Sequence, residues 1–200
     1  RLILADEQGQ IRDGDQILAT LALDAAEQGT LHGPVIGTGI SNLGLETVLA
    51  KHNIGFERAA VGDRYIYERM VKTGSNLGGE PSGHVLLPQL TRTGDGLIAA
   101  LQILSVICRT GKPASELLSC FTPIPQRLVN LRDIDMAVLS DKRVTAHVAA
   151  VEAELGGQGR VLLRPSGTEP LIRVMVEAVD KARLDAAMDK LVTVLKAASQ

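Results

Sequence analysis

The chain has no tryptophan, and only two phenylalanines and two tyrosines in 200 residues. With so few rings it is poorly supplied for a stacking platform for bases or sugars, which needs exposed aromatic faces. It also lacks a surplus of one charge: 21 basic residues stand against 23 acidic ones, and the basic ones are dispersed. That pattern argues against a nucleic-acid partner or an anionic membrane surface. Cysteine is scarce. Cys108 and Cys120 lie too far apart for a C-x-x-C redox or zinc motif, and both read as buried thiols in a reducing compartment. No uninterrupted apolar run reaches membrane-spanning length, and the opening RLILADEQ is too short for a signal peptide. The expectation is a soluble, cytoplasmic protein with no membrane partner. Motifs of the G-x-S-x-G, H-E-x-x-H and Walker types are absent from the sequence.

What is present is aliphatic. Hydrophobic residues make up 45% of the chain, so Leu, Ile, Val and Ala must fill the core of one large or two small domains. Short strand and helix patterns alternate as far as Phe121. Helices are expected from Asp13 or Asp15 to about Gln28, from Ser41 to about Lys51 and from Gly62-Asp63 to about Thr73. A further helix follows Thr93-Gly94-Asp95, with Leu97, Ile98, Leu101, Leu104 and Cys108 on one face. Phe121-Thr122-Pro123-Ile124-Pro125 cannot be helical and reads as a semi-rigid linker. Beyond it the order becomes β-α-β-β-α. The expected fold is therefore α/β with a mixed sheet, followed by a small α+β domain whose antiparallel sheet carries helices on one face.

Two stretches carry chemistry. In LRPSGTEPLIRVMVE, Arg164, Ser166, Gly167 and Thr168 crowd a tight loop between two strands, and Arg173 follows. Successive backbone N–H groups in such a turn form an anion-binding nest, and a guanidinium matches phosphate bidentately. The same residues also suit a solvated surface hairpin. In GGEPSGH, Glu80 and Ser82 are two apart and share one face if extended, a pairing suited to sugar hydroxyls; His84 closes the stretch. A glycine-rich loop bent for packing accounts for it equally well. Asp63 and Arg64 stand at a strand-to-helix junction, where ligands collect in α/β sheets, although a helix cap explains Asp63 more simply.

Taken in order, these stretches resemble the α-D-phosphohexomutase family. GGEPSGH is similar to its sugar-binding loop and RPSGTEPLIRVMVE to the phosphate-binding loop of its C-terminal domain. DGDQILATLA, SNLGLE, VGDRYIYERM and TGDGLIAALQIL resemble the bacterial branch acting on glucosamine phosphate. The resemblance implies a four-domain enzyme. A phosphoserine in the first domain and Mg2+ on an aspartate loop in the second would interconvert glucosamine 6-phosphate and glucosamine 1-phosphate through a bisphosphate, serving amino-sugar and cell-envelope synthesis. Carried over by residue, Glu80, Ser82 and His84 would contact the sugar. Arg164, Ser166, Gly167, Thr168 and Arg173 would bind the phosphate, and Asp63 and Arg64 would lie near the cleft.

Two departures matter. Pro165 stands where the family often has Lys, implying weaker or stiffer phosphate binding, and Pro81 should stiffen the sugar loop. The chain also opens on Arg1, in a strand already under way. Arg1 matches the last residue of the metal loop. The expectation is a C-terminal piece: residues 1–14 as the tail of the second domain, 15–121 as the third, 122–125 as linker and 126–200 as the fourth. Its partners would be the hexosamine phosphate and the missing N-terminal domains. Such a piece would hold no catalytic residue and no Mg2+ of its own, and would be inactive alone. The alternatives are a phosphomannomutase or phosphoglucomutase of the same superfamily, or a non-catalytic phosphosugar-binding module.

Overall fold

The computed structural model describes residues 1–167 and 169–199. The chain divides into two units, Arg1–Pro123 and Ile124–Gln200.

The first unit opens with a small antiparallel pair, β1 (Leu4–Ala5) and β2 (Ile11–Arg12). Asp6 pins the turn between them, accepting from the amides of Gln8 and Gln10 and from the Arg12 guanidinium. A four-stranded sheet follows, in the order β4 (Phe56–Ala59), β3 (Val35–Thr38), β5 (Gly78–Gly79), β6 (Val85–Leu86). β3 runs parallel to β4 and β5, and β6 is antiparallel to β5, so the sheet is mixed. Val35 and Ile36 are both fully buried, one on each face, because successive side chains alternate. On the Val35 face lie α1 (Gly14–Glu27), α2 (Leu43–Lys51) and α4 (Gly96–Thr110). On the Ile36 face lies α3 (Asp63–Thr73), contributing Ile66 and Met70. A short α5 (Ala114–Leu117) completes the unit, with Pro113 as its N-cap.

Helix α1 explains how the layers lock. Asp13 caps it with a full capping box, accepting from the amides of Asp15 and Gln16 while the Gln16 side chain returns to the Asp13 amide. Every residue from Gly14 to Ala22 is buried, as expected of a helix with neighbours on all sides. That burial includes a carboxylate. Asp15 Oδ2 accepts from the Asn42 amide at 2.6 Å, while Oδ1 is buried with no partner among the described residues. Burial pushes its pKa from 3.8 up to about 7 against the opposing hydrogen bond from Asn42. The folded chain holds this proton more tightly than the unfolded chain. The contribution to stability is therefore fully present below about pH 4 and is lost as pH rises through about 7, by at most about 4 kcal/mol. Asp15→Asn keeps the acceptor for Asn42 and removes the charge. Urea unfolding of that variant should show a gain at pH 8 that shrinks towards pH 4; an equal change at both would contradict the assignment.

The second unit has a three-stranded antiparallel sheet in the order β7 (Gln126–Arg132), β9 (Leu171–Ala178), β8 (Gly159–Pro165). Helices α6 (Lys142–Leu155) and α7 (Lys181–Ala198) carry Val144, Val151, Leu184, Met188 and Leu191 into a core with Val161, Ile172, Val174 and Val176. A 3₁₀ segment, Met136–Ser140, precedes α6 and was not legible in the sequence. The helices take one face of the sheet, leaving Arg173, Met175 and Glu177 of β9 on the other.

Several sequence expectations need correction. The buried face of α4 is Ala99, Ile103 and Val106; Leu97, Leu101 and Leu104 are exposed. Cys108 is exposed with them rather than buried, and Cys120 is half-buried, its thiol pKa raised by desolvation. The cap of α2 is Asn42 rather than Ser41, because Ser41 Oγ already accepts from the Thr38 amide. Asp63 does not cap α3. Gly62 takes that place at φ +131°, and Asp63 is the first helical residue. No helix among the described residues is long and apolar enough to cross a membrane.

Candidate functional site

The loop between β5 and β6 is a tight turn. The Gly83 amide donates to the Glu80 carbonyl and the Glu80 amide to the His84 carbonyl, both at 3.0 Å. Gly83 sits at φ +82°, a conformation glycine adopts without strain. The loop is seated on backbone: the Leu2 amide donates to the Gly83 carbonyl and the Gly14 amide to the Pro81 carbonyl. A Cβ on Gly14 would fall 2.0 Å from the Glu80 carbonyl oxygen, and one on Gly83 would fall 1.9 Å from that of Leu2.

That seating fixes Glu80. Its side chain is nearly buried; Oε1 accepts from the Gly62 amide and Oε2 from the Ser82 hydroxyl, both at 2.9 Å. Each oxygen keeps a second lone pair for a ligand hydroxyl. Glu80 and His84 join Gly62, Asp63, Val61 and Arg1 around a concavity of about 380 Å³. His84 Nε2 is buried without a hydrogen-bond partner among the described residues, 3.6 Å from Asp63 Oδ2. Arg64 points elsewhere, pairing with Glu68 at 2.9 Å.

In the second unit, Arg164 and Arg173 are register partners across β8 and β9, so their side chains emerge side by side. Asn130 of β7 is the partner of Arg173 on its other side. The three form one cross-strand row on the face away from the helices. Burial and the neighbouring Arg173 charge both lower the Arg164 pKa. Ser166 Oγ and Arg173 Nε are buried without partners among the described residues. Glu169 approaches Arg173 only at 4.0 Å and pairs with Arg132 at 2.9 Å. Gly167 has open space where a Cβ would be, and Thr168 lies outside the described residues. Two adjacent cations with unspent donors suit an anion of high charge density.

The structure brings Glu80, Ser82, His84 and Asp63 together in the first unit, and Arg164, Ser166 and Arg173 together in the second. Arg64 joins neither group. Asn130 and Glu169 were not anticipated from sequence. A larger groove of about 550 Å³ on α6 and α7, lined by Ala150, Val151, Leu191 and Val194 among others, includes none of the predicted residues. The described residues contain no grouping of three or more His, Cys, Asp or Glu side chains able to hold a metal ion. They do not fit a Mg2+ site.

Comparison with known proteins yields two family matches. Residues 13–124 match the model for phosphoglucomutase/phosphomannomutase alpha/beta/alpha domain III, and residues 126–194 match that for the phosphoglucomutase/phosphomannomutase C-terminal domain. Among curated proteins, the phosphoglucosamine mutase of Thioalkalivibrio sulfidiphilus is 51% identical over 192 residues, covering 92% of this chain and 42% of that protein. The phosphoglucosamine mutase of Novosphingobium aromaticivorans is 48% identical over 200 residues, covering all of this chain and 45% of that protein. The chain thus spans less than half the length of these relatives. Among solved structures, Aspergillus fumigatus N-acetylphosphoglucosamine mutase in complex with GlcNAc-6P and magnesium superposes with a TM-score of 0.82 at 19% identity, over 99% of this chain and 46% of that one. A phosphoglucomutase/phosphomannomutase family protein from Burkholderia thailandensis gives 0.77 at 21% identity, over 98% of this chain and 44% of that one. At such identities these structures share the fold.

Proposed function

The chain belongs to the phosphoglucomutase/phosphomannomutase family, and from that premise we propose that it is the substrate-recognition part of an enzyme interconverting glucosamine 6-phosphate and glucosamine 1-phosphate. The observation that carries this is the row formed by Arg164 and Arg173. Two guanidinium groups are held side by side, with Arg173 Nε and Ser166 Oγ buried and unbonded among the described residues. Such an arrangement costs stability in the free chain and is repaid by a bound phosphate. Glu80, braced by Gly62 and Ser82, supplies acceptors for sugar hydroxyls. The curated relatives near 50% identity carry the name phosphoglucosamine mutase, which favours an amino sugar over glucose or mannose.

Phosphoryl transfer through a phosphoserine and a bisphosphate, with Mg2+ supplying charge neutralisation when bound, would be the work of the remaining half of the full-length protein. This chain's own residues bind and orient. The test is turnover of glucosamine 6-phosphate by the purified full-length protein and by the 200-residue chain. Activity is expected in the first and none in the second. Turnover by the chain alone would overturn this division of labour. Absence from a correctly folded, phosphorylated full-length protein would overturn the substrate.

A further inference from the structure

We propose that Asp63 reads the free amino group at C2 of the sugar, so that the enzyme selects a 2-amino sugar phosphate over its 2-hydroxy and 2-acetamido counterparts. This rests on the amino-sugar reading above and adds the residue that enforces it.

The polar atoms around the concavity differ in how far they are already committed. Both oxygens of Glu80 are engaged, by the Gly62 amide and the Ser82 hydroxyl. That carboxylate is braced and oriented. Asp63 is different: Oδ1 accepts from the Arg64 amide at 2.8 Å, while the polar atom found near Oδ2 among the described residues is the His84 ring nitrogen, beyond hydrogen-bond distance at 3.6 Å. The Asp63 side chain is 67% exposed at the rim of the concavity. Among the described residues no lysine or arginine pairs with it, and the His84 contact is an ion pair only when the imidazole is protonated. The Arg64 guanidinium is committed to Glu68, and Arg1, which also lines the concavity, makes no ion pair with Asp63 among the described residues.

His84 Nε2 supplies the second, independent observation. It is buried, belongs to a ring that lines the same concavity, and has no hydrogen-bond partner among the described residues. With the proton on Nδ1 it is an acceptor awaiting a donor. One unpaired carboxylate oxygen and one orphaned ring nitrogen, 3.6 Å apart, define a position that wants several donors and a positive charge. An ammonium supplies three donors and the charge. A hydroxyl has one hydrogen and can satisfy only one of the two acceptors. An acetamide nitrogen has one hydrogen, no charge and an added acetyl group to house. Leaving a buried acceptor unpaired is what makes polar discrimination steep.

The experiment compares kcat/KM of the full-length protein for glucosamine 6-phosphate and glucose 6-phosphate, in the wild type and in Asp63→Asn. The substitution keeps the acceptor for the Arg64 amide and removes only the charge. The loss on the amino sugar should exceed the loss on glucose 6-phosphate by about 10- to 100-fold. Equal losses on both substrates, or an undiminished preference in the variant, would overturn the role of Asp63 while leaving the amino-sugar reading intact. A wild type with no preference for the amino sugar would overturn both. A second measurement needs no variant: the wild type should discriminate at least about tenfold against N-acetylglucosamine 6-phosphate. Equal rates on the acetylated and free amines would also sink the inference.

Discussion

Arg173→Ala in the full-length protein should lower kcat/KM for glucosamine 6-phosphate by about 100-fold or more, while making the ligand-free protein slightly more stable. The two effects have one cause. Arg173 stands beside Arg164 in the β8–β9 register, and its charge helps to lower the Arg164 pKa. Glu169, at 4.0 Å, is too far to offset it with a good hydrogen bond. Removing the guanidinium relieves like-charge repulsion but takes away a fork that phosphate would engage. Truncating one partner of a desolvated charge pair typically costs about 2–5 kcal/mol of binding, and about 2.7 kcal/mol is a hundredfold. Arg173→Lys should fall between, since an ammonium keeps the charge and loses the bidentate geometry. The opposite signs on turnover and melting temperature distinguish a phosphate clamp from a structural arginine. A variant that loses stability and leaves kcat/KM intact would refute the clamp.

Arg160→Leu should be the most damaging single change in the second unit. Glu177, at the C-terminal part of β9, has a fully buried side chain and forms an ion pair with Arg160 across the sheet. Gln126 Nε2 donates to Glu177 Oε1 from the other side at 3.3 Å. Without Arg160 the carboxylate stays buried and loses this ion pair. Breaking a buried pair from one side costs about 3–5 kcal/mol, whereas replacing both partners is often close to neutral. Hydrogen exchange at the β9 amides should therefore accelerate strongly in Arg160→Leu and recover in the double variant Arg160→Leu/Glu177→Leu. If the single and double variants exchange alike, the pair carries no such weight.

Local signals were legible where one physical rule acted alone. Asp13, Asp95, Asp141 and Asp180 cap their helices, and Gly74, Gly111 and Gly156 end theirs in the left-handed region. The face of α4 was not legible, because Leu97, Ile98, Leu101 and Leu104 outweigh Ala99, Ile103 and Val106 in bulk. It is the small Ala99 face that packs inward. The Asp15 carboxylate read as half of a capping signal, yet its partner is an amide 27 positions away. Composition cannot announce a pairing made by the fold. The same holds for the anion row. Arg164 and Arg173 were visible in one hairpin, but Asn130 joins them only because β7 pairs with β9 rather than with β8.

The seating of the 80–84 loop has a consequence for how such a protein can change over generations. At Gly14 and Gly83 a methyl group would collide with main-chain oxygens that cannot rotate away. Neutral drift has no route through either position, and stepwise adaptation cannot start there. Pro81 and Ser82 are half-buried and Asp63 is exposed, so side-chain identity can vary there without moving the backbone. A lineage shifting from one sugar phosphate to another would find its accessible steps at such side chains, on a loop whose path stays the same.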